Sequence, residues 1–313
     1  MIARLRGFLA GFHPRPVAWW ELFVMRCLFA LVVFRSLPRA SDQIYDTQGV
    51  PNGIAQWLDL TFLSLPGVYP GLQIAIVAAL CIYSLGLLLP VVLPFLLVSH
   101  VMVRTLFNSQ GWVHHGVQMV SLVLLAQTVV VLTFAIYRQA KGRHFPLADS
   151  RTAGSYLLFY SQMAVVALYI VSVFSKIDRS DGQWFAKSHY MGLHVVKAER
   201  DRYYAALEPP EPGDVPLARQ VLAHPNISRV CLAAGVALEF FAFLALRSRA
   251  WALAIAIGLI GFHRCIAALM STHFHFNELL LIIFLINAPY WLSRIGIRTW
   301  HSREPQAAPA PAG

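Results

Sequence analysis

Apolar runs long enough to cross a bilayer recur along the 313-residue chain. They lie near Val17–Ser36, Pro70–Leu88, Val91–Phe107, His115–Tyr137, Tyr156–Ser175, Ile227–Leu246, Trp251–Met270 and Asn277–Leu292. A hydrocarbon core of about 30 Å needs roughly 20 apolar residues in a helix that rises about 1.5 Å per residue. Inside lipid every backbone N–H and C=O must be satisfied within the structure, so only helices or closed barrels can span. A barrel would show shorter segments of alternating polarity, about ten residues each, and these runs are continuous. Charged residues make up 13% of the chain, against about 25% in soluble domains. That excludes a soluble globular enzyme. A hydrophobic fraction of 58% excludes a disordered chain. The expected fold is an all-α integral membrane protein, a bundle of about eight transmembrane helices with an outer-face helix and loop cap.

The arginines orient the bundle. Arg4, Arg6 and Arg15 precede the first span; Arg138, Lys141, Arg143 and Arg151 follow the fourth; Arg247 and Arg249 follow the sixth; Arg294, Arg298 and Arg303 follow the eighth. With eight spans these regions share one side, which the positive-inside rule makes cytoplasmic. Both termini are therefore expected in the cytoplasm. The net charge of +10 follows from the same bias, and no nucleic-acid partner is implied. Residues 1–16 read as a cytoplasmic interfacial segment, 17–295 as the bundle including an outer loop at 177–226, and 296–313 as a disordered cytoplasmic tail. Within the outer loop, Gln183–Leu207 has helical periodicity and precedes a Pro/Glu-rich stretch from Glu208 to Gly213. No A-x-A-like cleavage site follows the first run, so it is expected to be retained. Cys27, Cys81, Cys231 and Cys265 lie in apolar runs without CxxC spacing and read as buried thiols.

Ionisable groups within spans are costly, by about 2.5–3.5 kcal/mol each on insertion scales, and they usually face a bundle interior. On span three His100, Arg104 and Asn108 recur every fourth residue and form one stripe. His114, His115 and Gln118 open span four at the same end, Lys176 closes span five there, and His263 and Arg264 lie in the same half of span seven. This polarity points to a cavity opening on the non-cytoplasmic side. Simpler roles stand beside it. Glu239 and Arg264 could form a buried ion pair, Glu21 and Arg26 could pair or snorkel, and Lys176 could snorkel to the headgroups. His273 and His275 fall short of a metal site, and no metal is expected. Only four of 25 basic residues are lysine, and a lysine, unlike an arginine, can lose its proton and act as a base. Asp178 is then expected to point away from the amine. No internal repeat and no broken-helix pair is legible, which argues against a transporter.

Span five runs through Tyr169-Ile170-Val171-Ser172-Val173-Phe174-Ser175-Lys176-Ile177 into Gly182-Gln183-Trp184-Phe185. This resembles the Y-x-x-(small)-x-x-K-(L/I)…W signature of the horizontally transferred transmembrane (HTTM) family, bacterial relatives of vitamin K-dependent gamma-carboxylase, with one residue more between Ser172 and Lys176. The Asn108…Trp112…His114-His115 and Gly261-Phe262-His263 segments fit it too, and the likeness covers about Val17 to Leu292. The resemblance implies that Lys176 deprotonates a reduced quinone of the menaquinone or vitamin K type. With O2, that quinone becomes a base able to remove a carbon-bound proton, with CO2 as a further co-substrate. His115 would assist near the substrate carbanion. His100, Arg104, Asn108, His114, Trp184, Glu239, His263 and Arg264 would line the quinone and substrate site. It also implies a multi-pass protein of the bacterial inner membrane whose partners are lipid, quinone and a peptide or small substrate. The carboxylase continues into a large extramembrane substrate-binding domain, whereas this chain ends soon after its last span, so protein gamma-carboxylation itself is not implied. A second reading, of another class, is a non-catalytic maturation, export or immunity factor that binds a peptide or lipid in the same cavity.

Overall fold

The computed structural model describes residues 10–38, 57–108, 115–141, 150–206 and 215–301, and among these there is no strand. The long helices are α1 (Trp19–Ser36), α2 (Val68–Leu85), α3 (Leu89–Asn108), α4 (His115–Lys141) and α5 (Ser150–Arg179). A 3-10 turn (Ala186–Tyr190) then leads to α6 (Met191–Ala206) and α7 (Pro216–Ala223). The chain re-enters the bundle through α8 (Pro225–Phe240), which tightens to 3-10 over Phe241–Leu246, and α9 (Arg249–Met270). The last span is α10 (His275–Leu280), a π-helical turn (Leu281–Ile286) and α11 (Ala288–His301).

Among the described residues six helices are long and apolar enough to cross a membrane, or seven with the bent last span counted as one. The remaining expected span, α1, carries Glu21, Arg26 and Arg35 within 18 residues, yet it packs against α2, α4 and α5. The protein is thus an all-α membrane bundle. The last span, expected to be continuous, bends by 41° at Asn287, which adopts a left-handed φ of 51°. The π turn frees a carbonyl there, and the Gln162 amide donates to Phe284 O at 2.7 Å. One such break among the described residues does not make the paired, symmetric breaks of a transporter.

Local chemistry sets the turns. Gly86, at φ 76°, closes α2 and donates to the carbonyls of Ile82 and Tyr83. Its missing side chain leaves the place taken by the Arg26 guanidinium, while Glu21 takes Arg249 as its ion-pair partner. The Ser248 hydroxyl oxygen caps α9 by accepting from the Trp251 N–H at 3.1 Å. The core is mainly aliphatic and holds an edge-to-face aromatic set, with Phe29 5.3 Å from Phe284 and 6.2 Å from Tyr83. Buried polar atoms cross it in a satisfied chain: the Tyr83 hydroxyl donates to Gln127, and Gln127 donates to Ser161. Apolar packing gives little preference between helix and lipid, so such cross-helix bonds help select these neighbours.

Alternation of the spans puts the C-termini of α3, α5 and α9 and the N-termini of α4, α8 and α10 at one end, together with α6 and α7. The 3-10 turn packs on α8 and α6 packs on α9. The expected outer-face helix corresponds to α6. The Pro/Glu-rich stretch, the tail beyond His301 and most of the N-terminal interfacial segment lie outside the described residues.

Candidate functional site

One face of α5 carries Tyr169, Ser172, Lys176 and Arg179, spaced by three or four residues so that they line up along the helix. That face borders a cavity of about 950 Å³. Opposite stand Glu239 from α8, His263 from α9, Phe274 and Asn277 at the start of α10, and Gln118 and Met119 from the first turns of α4. Trp184 closes it beyond the end of α5.

Two glycines let these helices approach. A Cβ at Gly116 on α4 would meet Asn277 Oδ1 and the Cβ of Phe276, so glycine admits α10 beside α4. A Cβ at Gly235 on α8 would overlap the Phe262 ring on α9. Glu239 lies one turn beyond Gly235, and His263 follows Phe262, so this contact sets the width of the cavity between its carboxylate and its imidazole. Gly235→Ala is expected to destabilise the protein by about 1–3 kcal/mol through overpacking and to move Glu239 relative to His263. Thermal unfolding of the purified variant checks the first effect; an unchanged midpoint would mean that the ring simply swings aside.

Lys176 forms an ion pair with Glu239, the lysine side chain 27% exposed and the carboxylate 7%. The ammonium also lies 5.8 Å from the Trp184 ring centroid, where the ring's negative face favours a cation. Asp178 is exposed and does not line the cavity. The His263 ring stacks between Phe274 at 4.4 Å and Tyr169 at 5.8 Å. Among the described residues His263 Nδ1, the Tyr169 hydroxyl and Asn277 Oδ1 are buried without a hydrogen-bond partner. Buried polar atoms are nearly always satisfied. The three atoms face the cavity from opposite sides, Tyr169 from α5 and His263 and Asn277 from α9 and α10, with the Tyr169 hydroxyl beside the Asn277 side chain, and they can receive a polar group of a ligand.

The sequence-predicted residues divide. Lys176, Glu239, His263 and Trp184 come together at this cavity. His100 and Arg104 do not line it. Both ring nitrogens of His100 are engaged, with Ser36 at 2.8 Å and Ser121 at 2.9 Å. Arg104 is buried with its guanidinium 4.7 Å from the Phe107 ring centroid; its Nε and Nη2 and the Asn108 Oδ1 have no partner among the described residues. Arg264 pairs with Glu278 at 2.5 Å, with its side chain 66% exposed, so it is not the partner of Glu239. His115 begins α4, but its side chain, like His114 and Trp112, lies outside the described residues. The His273 and His275 rings are exposed and stack at 5.2 Å.

Tyr169 and Asn277 were absent from the expected set. Tyr169 precedes Lys176 by seven residues, two helical turns, so the pair shares a face; that spacing was available in the sequence. Asn277 reaches the cavity only because the α9–α10 turn folds it back towards α4, for which no local signal exists. No protein-family model, no curated protein and no solved structure matches the chain.

Proposed function

We propose that this protein is an HTTM-like membrane enzyme, resembling vitamin K-dependent gamma-carboxylase, that uses a reduced quinone and O2 to act on a peptide or small substrate. The observation that carries this reading is Lys176, paired with Glu239, on the wall of a cavity that also holds the unsatisfied atoms of Tyr169, His263 and Asn277. The donor set fits a quinol: a hydroxyl, an imidazole nitrogen and an amide oxygen can meet its polar ring atoms, while Leu168, Met119 and Phe274 can meet its apolar body. A bound reduced quinone with O2 would supply a base stronger than any side chain, for removal of a carbon-bound proton.

The chain's own contribution is proton handling and positioning. A salt-bridged lysine is already protonated. For Lys176 to accept a proton, it must first pass one to Glu239, so the pair acts together as the proton acceptor. Tyr169 and His263 hold the ring against the pair. In this reading the cavity lies in the non-cytoplasmic half of a bacterial inner membrane, with both termini cytoplasmic, and the clustering of arginines in alternate loops supports that orientation.

The ion pair also favours the second reading, a non-catalytic peptide- or lipid-binding factor, because a neutralised lysine can serve as a lock between α5 and α8. Solvent extraction of the purified protein separates the two. The enzyme reading expects a co-purified prenylated quinone, depleted in a Tyr169→Ala variant. A protein that folds and carries no quinone, even after incubation with menaquinone, overturns it.

A further inference from the structure

The α5 wall of the cavity extends from Leu168 to Arg179, about 16 Å along the helix axis. Its depth is uneven in a telling way. Met119, Tyr169, Glu239 and His263 form a buried inner wall, whereas Gln118, Val171, Ser175 and Arg179 are exposed. The cavity is thus a cleft that opens beside α5. Val171, 56% exposed, belongs to the apolar span of that helix, so the opening faces lipid. At the upper end stand Arg179, the last residue of α5, and Trp184, at the level where aromatic and basic side chains meet headgroups. Lys176 is compensated by Glu239. Arg179 has no ion-pair partner among the described residues, and the nearby Asp178 and Asp181 do not line the cleft. The mouth therefore carries one uncompensated positive charge above an apolar flank and a polar floor.

We propose that the molecule acted on here is a membrane-borne amphiphile with an anionic head, which enters sideways from the lipid and rests its head on Arg179 and its chain along α5. The inference rests on the reading that the inner polar wall takes a quinol, since it assigns the outer part of the same cleft to the second reactant. A neutral quinone has no use for Arg179; an acidic lipid does. A carbon of the chain would then lie between Val171 and Tyr169, beside the quinol and within the bilayer. Substrate and quinone would both arrive by diffusion in the membrane.

The test uses the full chain purified into detergent with equal amounts of phosphatidylglycerol and phosphatidylcholine of the same acyl chains, the retained lipids being counted by native mass spectrometry. One basic residue at the membrane surface favours an anionic headgroup about fivefold, and that is the preference expected for the wild type. Arg179→Gln should bring it close to one. Arg229→Gln, at an exposed residue on α8 bonded to Asn226, should leave it unchanged. Equal retention by the wild type, or a preference that survives Arg179→Gln, overturns the proposal. A second measurement needs no variant: phosphatidylglycerol bearing a mid-chain diazirine should label peptides around Met119 and Val171, and labelling confined to other helices overturns it as well. Quinone extracted from the same wild-type sample reports separately on the quinol reading. Quinone without lipid preference defeats the amphiphile alone; lipid preference without quinone defeats the quinol alone.

Discussion

Glu21→Ala is expected to lower the thermal midpoint of the purified protein by roughly 6 °C, the combined effect of breaking a buried charge pair at about 3–5 kcal/mol and of about 1.5 °C per kcal/mol for a chain of this size. Glu21 is 2% exposed near the start of α1. Its carboxylate accepts from Arg249 Nη1 at 2.6 Å and from the Asn287 side-chain amide. Arg249 also donates to Pro16 O at 3.1 Å and lies 3.9 Å from the Tyr290 ring centroid. One carboxylate therefore ties α1, the start of α9 and the break in the last span together. Its removal strands a guanidinium and an amide at once. Asn287→Gly retains the left-handed backbone and loses the bond to Glu21 together with the long bond that Asn287 Oδ1 accepts from the Tyr290 N–H at 3.5 Å; it should cost about 1–3 kcal/mol. Fluorescence-detected thermal unfolding compares the two, and a Glu21→Ala midpoint equal to wild type would show that this node holds nothing.

Lys176→Arg is expected to leave stability unchanged and to lower turnover by about 10²–10⁴-fold, the usual contribution of a positioned acid or base. Arginine retains a charge that can meet Glu239 and stack on Trp184, so α5 and α8 stay joined. It cannot release a proton in the working range. Lys176→Ala behaves differently, because it leaves the buried Glu239 carboxylate without its counter-charge, at a cost of about 3–5 kcal/mol. Glu239→Gln keeps a hydrogen-bond partner for Lys176 but removes the group that takes its proton, so it should fold and lose turnover. Stability and turnover are thus expected to part in Lys176→Arg and Glu239→Gln and to fall together in Lys176→Ala. Full turnover in Lys176→Arg would leave Lys176 as a helix tie only.

The bundle was legible because lipid forces apolar runs into helices, and α2, α3, α4, α5, α8 and α9 form where those runs lie. The break at Asn287 was not. Nothing in Leu285-Ile286-Asn287-Ala288 forbids a continuous helix; the π turn and left-handed Asn287 follow from Gln162 and Glu21, more than a hundred residues away in sequence. The candidate site was legible in part. A lysine at the end of an apolar span drew attention to Lys176, and Glu239 stood out as a carboxylate inside one. Their pairing depends on how α8 packs against α5, which no spacing within one helix encodes. For the same reason the stripe of His100, Arg104 and Asn108 could be placed on one face of α3 without revealing that its His100 and Arg104 do not line the cavity.

The most direct test of the account is the oxidation of menaquinol by the purified, lipid-supplemented protein. Under O2 the wild type should convert it to menaquinone epoxide, and the product should be absent without O2 and in Lys176→Arg. A folded wild type that forms no epoxide, or equal epoxide from wild type and Lys176→Arg, would contradict it.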